Sequence, residues 1–225
     1  MSPVEGAAPV EELEAIFSDL GLVSGPTQVQ ALLDYVDLLQ RWNVTYNLTA
    51  VRDRAGILSQ HLADCLAVLP HLLAHIGAGR VLDVGSGGGL PGVVLSIMQP
   101  ALDVTCVDTV GKKAAFIRQV GASLGLPNLH AEHARVEQLK VAPFPLITAR
   151  AFASLKLLVE LTEPLLAPGG VWMAMKGQTP HEEMSELPES IEVFHVEQLQ
   201  VPTLQAQRCL VWMRRRQRAT LDGQP

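Results

Sequence analysis

Residues 80–92, Arg-Val-Leu-Asp-Val-Gly-Ser-Gly-Gly-Gly-Leu-Pro-Gly, carry the strongest structural signal in the chain, because a short apolar run passes straight into five glycines and a helix start. Gly85, Gly87 and Gly89 can adopt positive φ and have no Cβ that would keep a ligand away from the backbone. The backbone amides would then face the ligand at the N-terminus of the helix. The stretch therefore predicts a strand, a ligand-binding loop and a helix in succession.

The spacing of these glycines separates two classes of nucleotide-type ligand. A dinucleotide fingerprint, G-x-G-x-x-G, would need a glycine at position 90 if it began at Gly85, and this chain has Leu90 there. The observed G-x-G-x-G follows Asp83, and a second apolar run ends at Asp108. This arrangement resembles the S-adenosylmethionine loop of class I methyltransferases. A nicotinamide or flavin site is the alternative.

The composition is that of a protein with one substantial core, since 48% of the 225 residues are hydrophobic and 18% are charged. We expect no membrane segment, because the most apolar stretch, residues 62–76, is short and contains Asp64, His71 and His75. Residues 1–10 lack the features of a secretory signal. The three cysteines form no C-x-x-C pair, which favours reduced thiols and a cytoplasmic protein.

The net charge of −6 argues on its face against a nucleic-acid-binding protein, because the binding surface would need Lys and Arg to neutralise phosphates. Positive side chains nevertheless crowd near the C-terminus and in predicted loops and helix starts. They are Arg52, Arg54, Lys112, Lys113, Arg118, Arg150, Lys176, Arg208, Arg214, Arg215, Arg216 and Arg218. An RNA-binding surface and a solvated mixed surface are both open interpretations.

Two kinds of hydrophobic pattern divide the chain. Residues 10–20, 28–42 and 53–76, with Asp53 as N-cap of the third segment, have helical periodicity. From Arg80 onward, short apolar runs alternate with helices near 91–98, 111–124 and 154–166, which is typical of a parallel sheet covered on both faces. The predicted strands are 80–84, 103–107, 129–133, 145–149, 170–175, 191–201 and 207–213. No helix separates the last two, so we expect them to pair antiparallel at one edge.

Several further motifs occur in a fixed order along the chain. They are W-N-x-x-x-N-L-T at 42–49, H-x-x-D at 61–64, D-V-G-x-G-x-G-L-P-G at 83–92, Gly-Lys-Lys at 111–113, R-V-E at 135–137 and R-A-F-A at 150–153. Over residues 30–213 this combination resembles the bacterial glucose-inhibited division protein B family, the small-subunit ribosomal RNA guanine-N7 methyltransferases. The resemblance and the pattern together predict an α/β fold: a class I methyltransferase (Rossmann-like), doubly wound, seven-stranded and mostly parallel sheet. Residues 1–76 would form a helical extension packed on the core, 77–215 the S-adenosylmethionine-binding core, and 216–225 a disordered tail.

The resemblance also implies which residues contact the cofactor, S-adenosylmethionine. Asp108 lies at the end of the second strand, where a carboxylate can accept both ribose hydroxyls, although a helix N-cap is its alternative role. Arg150 closes the fourth strand, at the edge where open sheets bind ligands, and could also help to hold the target base. The full set of cofactor-binding candidates is Gly85, Gly87, Leu90, Asp108, Thr109, Val136, Glu137 and Arg150.

Six further residues are candidates for contact with RNA: Trp42, Asn47, Arg52, His61, Lys112 and Lys176. Aromatic and amide side chains can stack on and hydrogen-bond an unstacked base. Each has a structural alternative: Trp42 and Asn47 could lock the helical segment onto the sheet, and His61 could form a buried pair with Asp64, three residues along the same helix. His71 and His75 have the spacing of a metal pair without a third ligand, so we expect no metal.

The resemblance makes N7 of a guanine in 16S ribosomal RNA the methyl acceptor. N7 has an in-plane lone pair and no proton, so direct in-line transfer needs alignment and no general base. Arg150 and Phe152 are the candidates for positioning the reactants, with a core role as the alternative for Phe152. The expected partner is 16S ribosomal RNA or a small-subunit particle, and the expected enzyme is a cytoplasmic monomer. The alternatives are a non-catalytic module that binds the cofactor or RNA, and a methyltransferase for a small molecule or protein.

Overall fold

The computed structural model of the protein describes residues 9–202 and 204–216. Its helices are α1 (Pro9–Asp19), α2 (Pro26–Tyr46), α3 (Arg54–Ile57), α4 (Ala63–Leu66), α5 (Leu69–His75), α6 (Gly92–Met98), α7 (Gly111–Leu124), α8 (Leu155–Thr162) and α9 (His181–Ser185). Its strands are β1 (Gly79–Val84), β2 (Leu102–Asp108), β3 (Leu129–His133), β4 (Phe144–Arg150), β5 (Leu166–Lys176), β6 (Ile191–Leu199) and β7 (Arg208–Arg215). The tail expected at 216–225 lies outside the described residues except for Arg216.

The strands form one seven-stranded sheet in the order β3-β2-β1-β4-β5-β7-β6. The first five strands pair in parallel, and β7 pairs antiparallel with both β5 and β6. The predicted doubly wound, mostly parallel sheet is therefore confirmed, and so is the antiparallel pairing of the last two strands. From the neighbouring strands β1 and β4, successive strands are added outward in opposite directions. The carboxyl ends of β1 and β4 therefore flank the crevice in which sheets of this type bind ligands.

Alternate residues of each central strand enter two different hydrophobic layers. Val81 of β1 packs with α1 to α7 on one face, and Leu82, the next residue, packs with α8 on the other. Because side chains alternate across a strand, a strand that is buried on both faces is apolar at most positions. The helices before β1 thus share a core with the sheet.

The segment predicted as a single helix from 53 to 76 is interrupted twice. It begins as expected, with Asp53 Oδ1 accepting the backbone N–H of Gly56 at 2.7 Å. Residues Leu58–Leu62 then form one turn of π-helix, and the chain bends before α5, where Pro70 lacks the N–H that a continuous helix requires. The stretch Arg54–His75 is long and apolar enough to span a membrane by length and composition alone, and 61% of its most apolar window is buried inside the protein.

The predicted helix at 154–166 is shorter in the structure. It ends at Thr162, and residues Glu163–Leu165 form a turn of 3₁₀-helix before β5 begins at Leu166. Pro164 again explains the difference, because proline is accommodated in the first turn of a new helical segment but not in the interior of a continuing one.

Candidate active site

The glycine loop leaves the carboxyl end of β1 in a conformation that side chains do not tolerate. Gly85, Gly87 and Gly89 have φ of +69°, +57° and +89°. A Cβ on Gly85 would lie 2.8 Å from Cδ2 of the Phe152 ring, and one on Gly89 would collide with the side chain of Val93. Both the backbone conformation and the available space therefore require glycine.

Two aspartates at the ends of neighbouring strands hold this loop. Asp83 Oδ2 accepts the backbone N–H of Gly92 at 2.9 Å, which fixes the start of α6. Asp108 Oδ2 accepts the N–H of Gly87 at 3.0 Å, and its Oδ1 accepts the N–H of Val110 at 2.8 Å. The helical segment adds a third support, because the buried Tyr35 hydroxyl of α2 donates to the Gly88 carbonyl at 2.6 Å.

Asp83 is fully buried, and burial raises the pKa of its carboxyl to about 6. Its Oδ1 atom is buried without a hydrogen-bond partner among the described residues. A buried acceptor of this kind is costly unless a donor reaches it. Asp83 lines neither of the cavities described below, so its role is to hold the glycine loop and the start of α6 from inside the core.

A first cavity of about 630 Å³ opens beside the loop, within the size range of small-molecule sites. Its lining includes five of the predicted cofactor-binding residues: Gly85, Asp108, Thr109, Val136 and Glu137. A carboxylate has about four lone-pair sites, so Asp108 keeps acceptor capacity for hydroxyl groups beyond its two backbone bonds. The donor and acceptor pattern and the glycine cradle fit an adenosine-type cofactor such as S-adenosylmethionine.

The other predicted cofactor residues lie outside the lining of the first cavity. Gly87 contributes its backbone N–H to Asp108, and the Leu90 side chain is buried below the loop. Arg150 points toward a second cavity, of about 410 Å³. Phe152 lines both cavities, so its ring forms the partition between them.

A chain of polar contacts forms one wall of the second cavity. Arg150 Nη1 lies 3.3 Å from His61 Nδ1 and 3.3 Å from Asp64 Oδ2. Asp64 Oδ1 accepts from Arg208 Nε at 3.1 Å. These contacts join His61 and Asp64 of the interrupted helix to Arg150 at the carboxyl end of β4 and to Arg208 at the amino end of β7.

His61 is neutral in this wall. Burial and the neighbouring Arg150 guanidinium lower the pKa of its imidazole to about 4. Because a guanidinium only donates, His61 Nδ1 accepts from Arg150, and the Nε2–H donates to Thr49 Oγ1 at 2.5 Å. Both ring nitrogens are therefore already used.

The other RNA candidates lie apart from this wall or are paired. Trp42 is half-buried, with its ring centroid 5.4 Å from that of Phe116, so it packs α2 against helix α7. Near the end of α2, Arg52 donates to Asn47 Oδ1 at 3.1 Å. Lys112 Nζ lies 6.0 Å above the Tyr46 ring on the same side of the molecule.

Lys176 and the histidine pair are also engaged. Lys176 lines the second cavity and pairs with Glu183 at 2.8 Å. The His75 ring packs on Trp212, with centroids 3.9 Å apart, and His71 Nδ1 lies 3.7 Å from Glu197. Within residues 9–202 and 204–216, no group of three or more His, Cys, Asp or Glu side chains could hold a metal ion.

Sequence reasoning did not find Arg208 as a site residue, although it noted a crowd of arginines there. Arg208 and Asp64 are separated by 144 positions, so no local motif joins them. The one available signal was a charged residue at the beginning of a strand whose middle, residues 209–213, is apolar.

Comparison with known proteins gives a family for this chain. Residues 28–211 match the family model GidB, described as rRNA small subunit methyltransferase G. The protein named ribosomal RNA small subunit methyltransferase G of Leptothrix cholodnii is 62% identical over 199 residues, covering 88% of this chain and 91% of that protein. The protein of the same name from Methylibium petroleiphilum is 56% identical over 218 residues, covering 96% and 99%.

Solved structures support the fold. The N-methyltransferase NodS from Bradyrhizobium japonicum, in complex with S-adenosyl-L-homocysteine, superposes with a TM-score of 0.56 at 14% identity, covering 81% of this chain and 99% of that one. A SAM-dependent methyltransferase from Aquifex aeolicus superposes with a TM-score of 0.53 at 18% identity, covering 70% and 92%. With its glycine loop, its sheet and its close relatives, the chain belongs to the GidB family of rRNA small subunit methyltransferase G proteins.

Proposed function

We propose that this protein transfers a methyl group from S-adenosylmethionine to N7 of a guanine in 16S ribosomal RNA. The observation that carries the proposal is the meeting of two cavities at Phe152. One is built on the glycine loop, and the other is lined by arginines and lies at the carboxyl ends of β4 and β5. Membership of the GidB family supports the reaction class and the substrate.

The first cavity would hold the cofactor, which supplies an electrophilic methyl group on its sulfonium. Asp108, Val136 and Glu137 line this cavity. Asp108 would accept hydrogen bonds from the ribose hydroxyls, and the polar groups at Val136 and Glu137 would hold the adenine. Gly85 lets the ligand approach the backbone closely. The complete set that we assign to the cofactor is Gly85, Gly87, Leu90, Asp108, Thr109, Val136, Glu137 and Arg150.

The protein's own residues contribute alignment and no proton transfer. Guanine N7 attacks through its lone pair, so no general base is required. This agrees with the state of His61, whose two nitrogens are both hydrogen-bonded and whose pKa is about 4. Phe152 and Arg150 position the base, since holding the reacting atoms roughly 3 to 3.5 Å apart supplies a large part of the rate enhancement.

The RNA contacts are assigned to two places. His61 and Lys176 line the second cavity, where the target nucleotide enters. Asn47, Arg52 and Lys112 lie beside Tyr46 and contact flanking nucleotides, whereas Trp42 supports that surface from below. Since the substrate is an RNA of the small ribosomal subunit, we place the reaction in the cytoplasm, and we assign it to a monomer that acts on free RNA or on the particle.

The test is methyl transfer from labelled S-adenosylmethionine to small-subunit particles and naked 16S ribosomal RNA from cells that lack this protein. We expect new 7-methylguanosine when the nucleosides are separated by mass spectrometry. The Gly85→Leu variant controls for contaminating methyltransferases, because it removes the cofactor cradle. A different methylated nucleoside, or cofactor binding without transfer to either RNA, would contradict the proposal.

A further inference from the structure

The second cavity differs from the first in what its side chains offer to a ligand. Its apolar walls come from Phe152, Met175 and Leu199. Its polar side chains are Asp64, His61, Arg150, Lys176 and Arg208. The hydrogen bonds that these five already make determine which groups remain for a ligand.

Among the described residues, the carboxylate in the lining is buried against two arginines. Asp64 is buried, with its side chain 5% exposed, and each of its oxygens accepts from a different arginine. The pairs are Oδ2 with Arg150 at 3.3 Å and Oδ1 with Arg208 at 3.1 Å. Asp64 therefore serves to hold two guanidiniums in place.

The remaining polar side chains of the lining donate hydrogen bonds. His61 uses its single acceptor on Arg150, as described above. Lys176 donates to Glu183, which lies outside the cavity lining. Lys176 also donates to the Ala153 carbonyl at 3.3 Å and bonds both carboxylate oxygens of Glu183, so its three N–H groups are engaged. The donors that remain for a ligand are those of the Arg150 and Arg208 guanidiniums, which have no acceptors.

Arg208 is the donor best placed to contact a ligand. Its Nε donates to Asp64 and its Nη1 to the Gln207 carbonyl at 2.8 Å, which leaves N–H groups on the outer side of the fork. Its side chain is 26% exposed, against 19% for Arg150. Arg150 has no bond from Nε or Nη2 among the described residues, but its side chain is the less exposed of the two.

We propose that the second cavity takes the target purine and that Arg208 donates a hydrogen bond to its O6 atom, which selects guanine against adenine. The inference rests on the proposed function, because a base that presents N7 to the methyl group also presents position 6 on the same edge. Guanine has an acceptor there, and adenine has an amino donor. A donor-only guanidinium pairs with the first and opposes the second.

The charges in this wall are compatible with the reaction. Methyl transfer moves positive charge onto the purine, and two bare guanidiniums nearby would oppose it. Asp64 lies between them, so its negative charge offsets part of theirs within hydrogen-bonding distance. Arg208 can thus donate to the base at a lower electrostatic cost than an unpaired arginine would incur.

The experiment replaces the base at the methylated position, once that position is mapped. Two ligated 16S ribosomal RNAs are compared as substrates, one with guanine and one with 2,6-diaminopurine at the methylated position. Diaminopurine keeps N7 and the 2-amino group but has an amine at position 6. We expect the wild type to prefer guanine in kcat/KM. Arg208→Gln should reduce that preference by roughly 5- to 150-fold, the value of one specific base contact, because an amide can pair with either group.

Three controls separate the possible outcomes. Arg214→Gln is the same substitution on the same strand, outside the cavity lining, and should leave the preference unchanged. Arg208→Lys keeps a donor and should keep the preference while slowing the reaction. Cofactor affinity should stay at the wild-type value in each variant.

The inference is overturned by any of three results. The first is a wild type that methylates both RNAs equally. The second is an Arg208→Gln variant that loses activity on both RNAs in the same proportion, which contact with a phosphate or a purely structural role would produce. The third is an Arg208→Lys variant that loses the preference for guanine. The first result needs no variant, so poor folding of Arg208→Gln would not prevent a decision. If the enzyme forms no 7-methylguanosine in small-subunit particles from cells that lack this protein, that result would instead contradict the proposed function.

Discussion

Position 85 imposes two requirements that only glycine meets together. Its φ is +69°, and the space where a side chain would begin is filled by the Phe152 ring. We predict that Gly85→Leu abolishes S-adenosylmethionine binding, because the side chain must displace Phe152 or occupy the first cavity. Isothermal titration calorimetry measures this directly.

Gly125 provides the matched control. It also has a positive φ, +62°, at the end of α7, and nothing lies within 4 Å of its missing Cβ. Gly125→Leu should therefore carry a similar backbone strain and retain the cofactor affinity. Equal loss of binding in both variants would mean that strain in the fold, and not the cradle, explains the effect.

The raised pKa of the Asp83 carboxyl leads us to predict that the free energy of unfolding depends on pH in an unusual way. Burial raises its pKa from 3.8 to about 6, so the folded state binds this proton more tightly than the unfolded state. Its contribution to the free energy of unfolding is therefore full below pH 4 and is lost as the pH rises through about 6. A shift of about two units corresponds to roughly 3 kcal/mol.

Asp83→Asn isolates this contribution, because the amide oxygen can still accept the Gly92 N–H without a charge. We expect the variant to be more stable than the wild type at pH 8, by up to roughly 3 kcal/mol, and no more stable at pH 4. Urea unfolding at the two values measures the difference. A difference between variant and wild type that does not change with pH would contradict the prediction.

Helix α2 is part of the active site although it precedes the sheet in the chain. Its Tyr35 hydroxyl donates to the Gly88 carbonyl of the glycine loop at 2.6 Å. Tyr35→Phe leaves that buried carbonyl without a donor, so we predict a loss of about 1 to 3 kcal/mol in the free energy of unfolding and weaker cofactor binding. Chemical unfolding and calorimetry test both effects.

Tyr46→Phe is the control on the same helix, since Tyr46 is exposed and lies at the far end of α2. It should change neither stability nor cofactor affinity measurably. If Tyr35→Phe behaves in the same way, the hydroxyl does not support the loop.

Most elements were predictable because their cause is local. Strands buried on both faces are apolar at most positions. The predicted bounds of α7 and of the partly exposed edge strand β3 also agree with the structure. The interruptions at Pro70 and Pro164 were missed because the apolar periodicity continues across both prolines, and periodicity says nothing about a missing N–H.

The second cavity was not predictable for a different reason. Asp64 and Arg208 meet only after the sheet has placed β7 beside β5, and a single sequence contains no record of contacts over such separations. From the sequence alone, Phe152 is a candidate for positioning the reactants. Its position as a partition between two cavities depends on the ring's packing against Gly85, which no motif encodes.

The molecule as a whole is acidic, with a net charge of −6, and yet its proposed substrate is a polyanion. Binding must then depend on a few local cations. We predict that the logarithm of the affinity for RNA falls linearly with the logarithm of salt concentration, because released counterions accompany each phosphate contact. Arg52→Ala should make this slope shallower by roughly 0.7 to 0.9, the value of one phosphate.

Lys140→Ala is the control for charge alone. Lys140 is exposed, lies in the loop between the turn Val136–Gln138 and β4, and lines neither cavity. Its removal changes the net charge by the same amount as Arg52→Ala and should leave the slope unchanged. Filter-binding measurements over a range of potassium chloride concentrations would show whether net charge or position determines RNA affinity.

The placement of β7 has a consequence for how the enzyme matures. This strand is the last of the seven in the chain, but it lies between β5 and β6 and supplies Arg208 to the second cavity. During synthesis, the residues of the glycine loop and of the first five strands leave the ribosome before those of β7. The residues that line the first cavity are therefore made before the second cavity is complete, so selection of guanine against adenine would be available only after translation has passed Arg208.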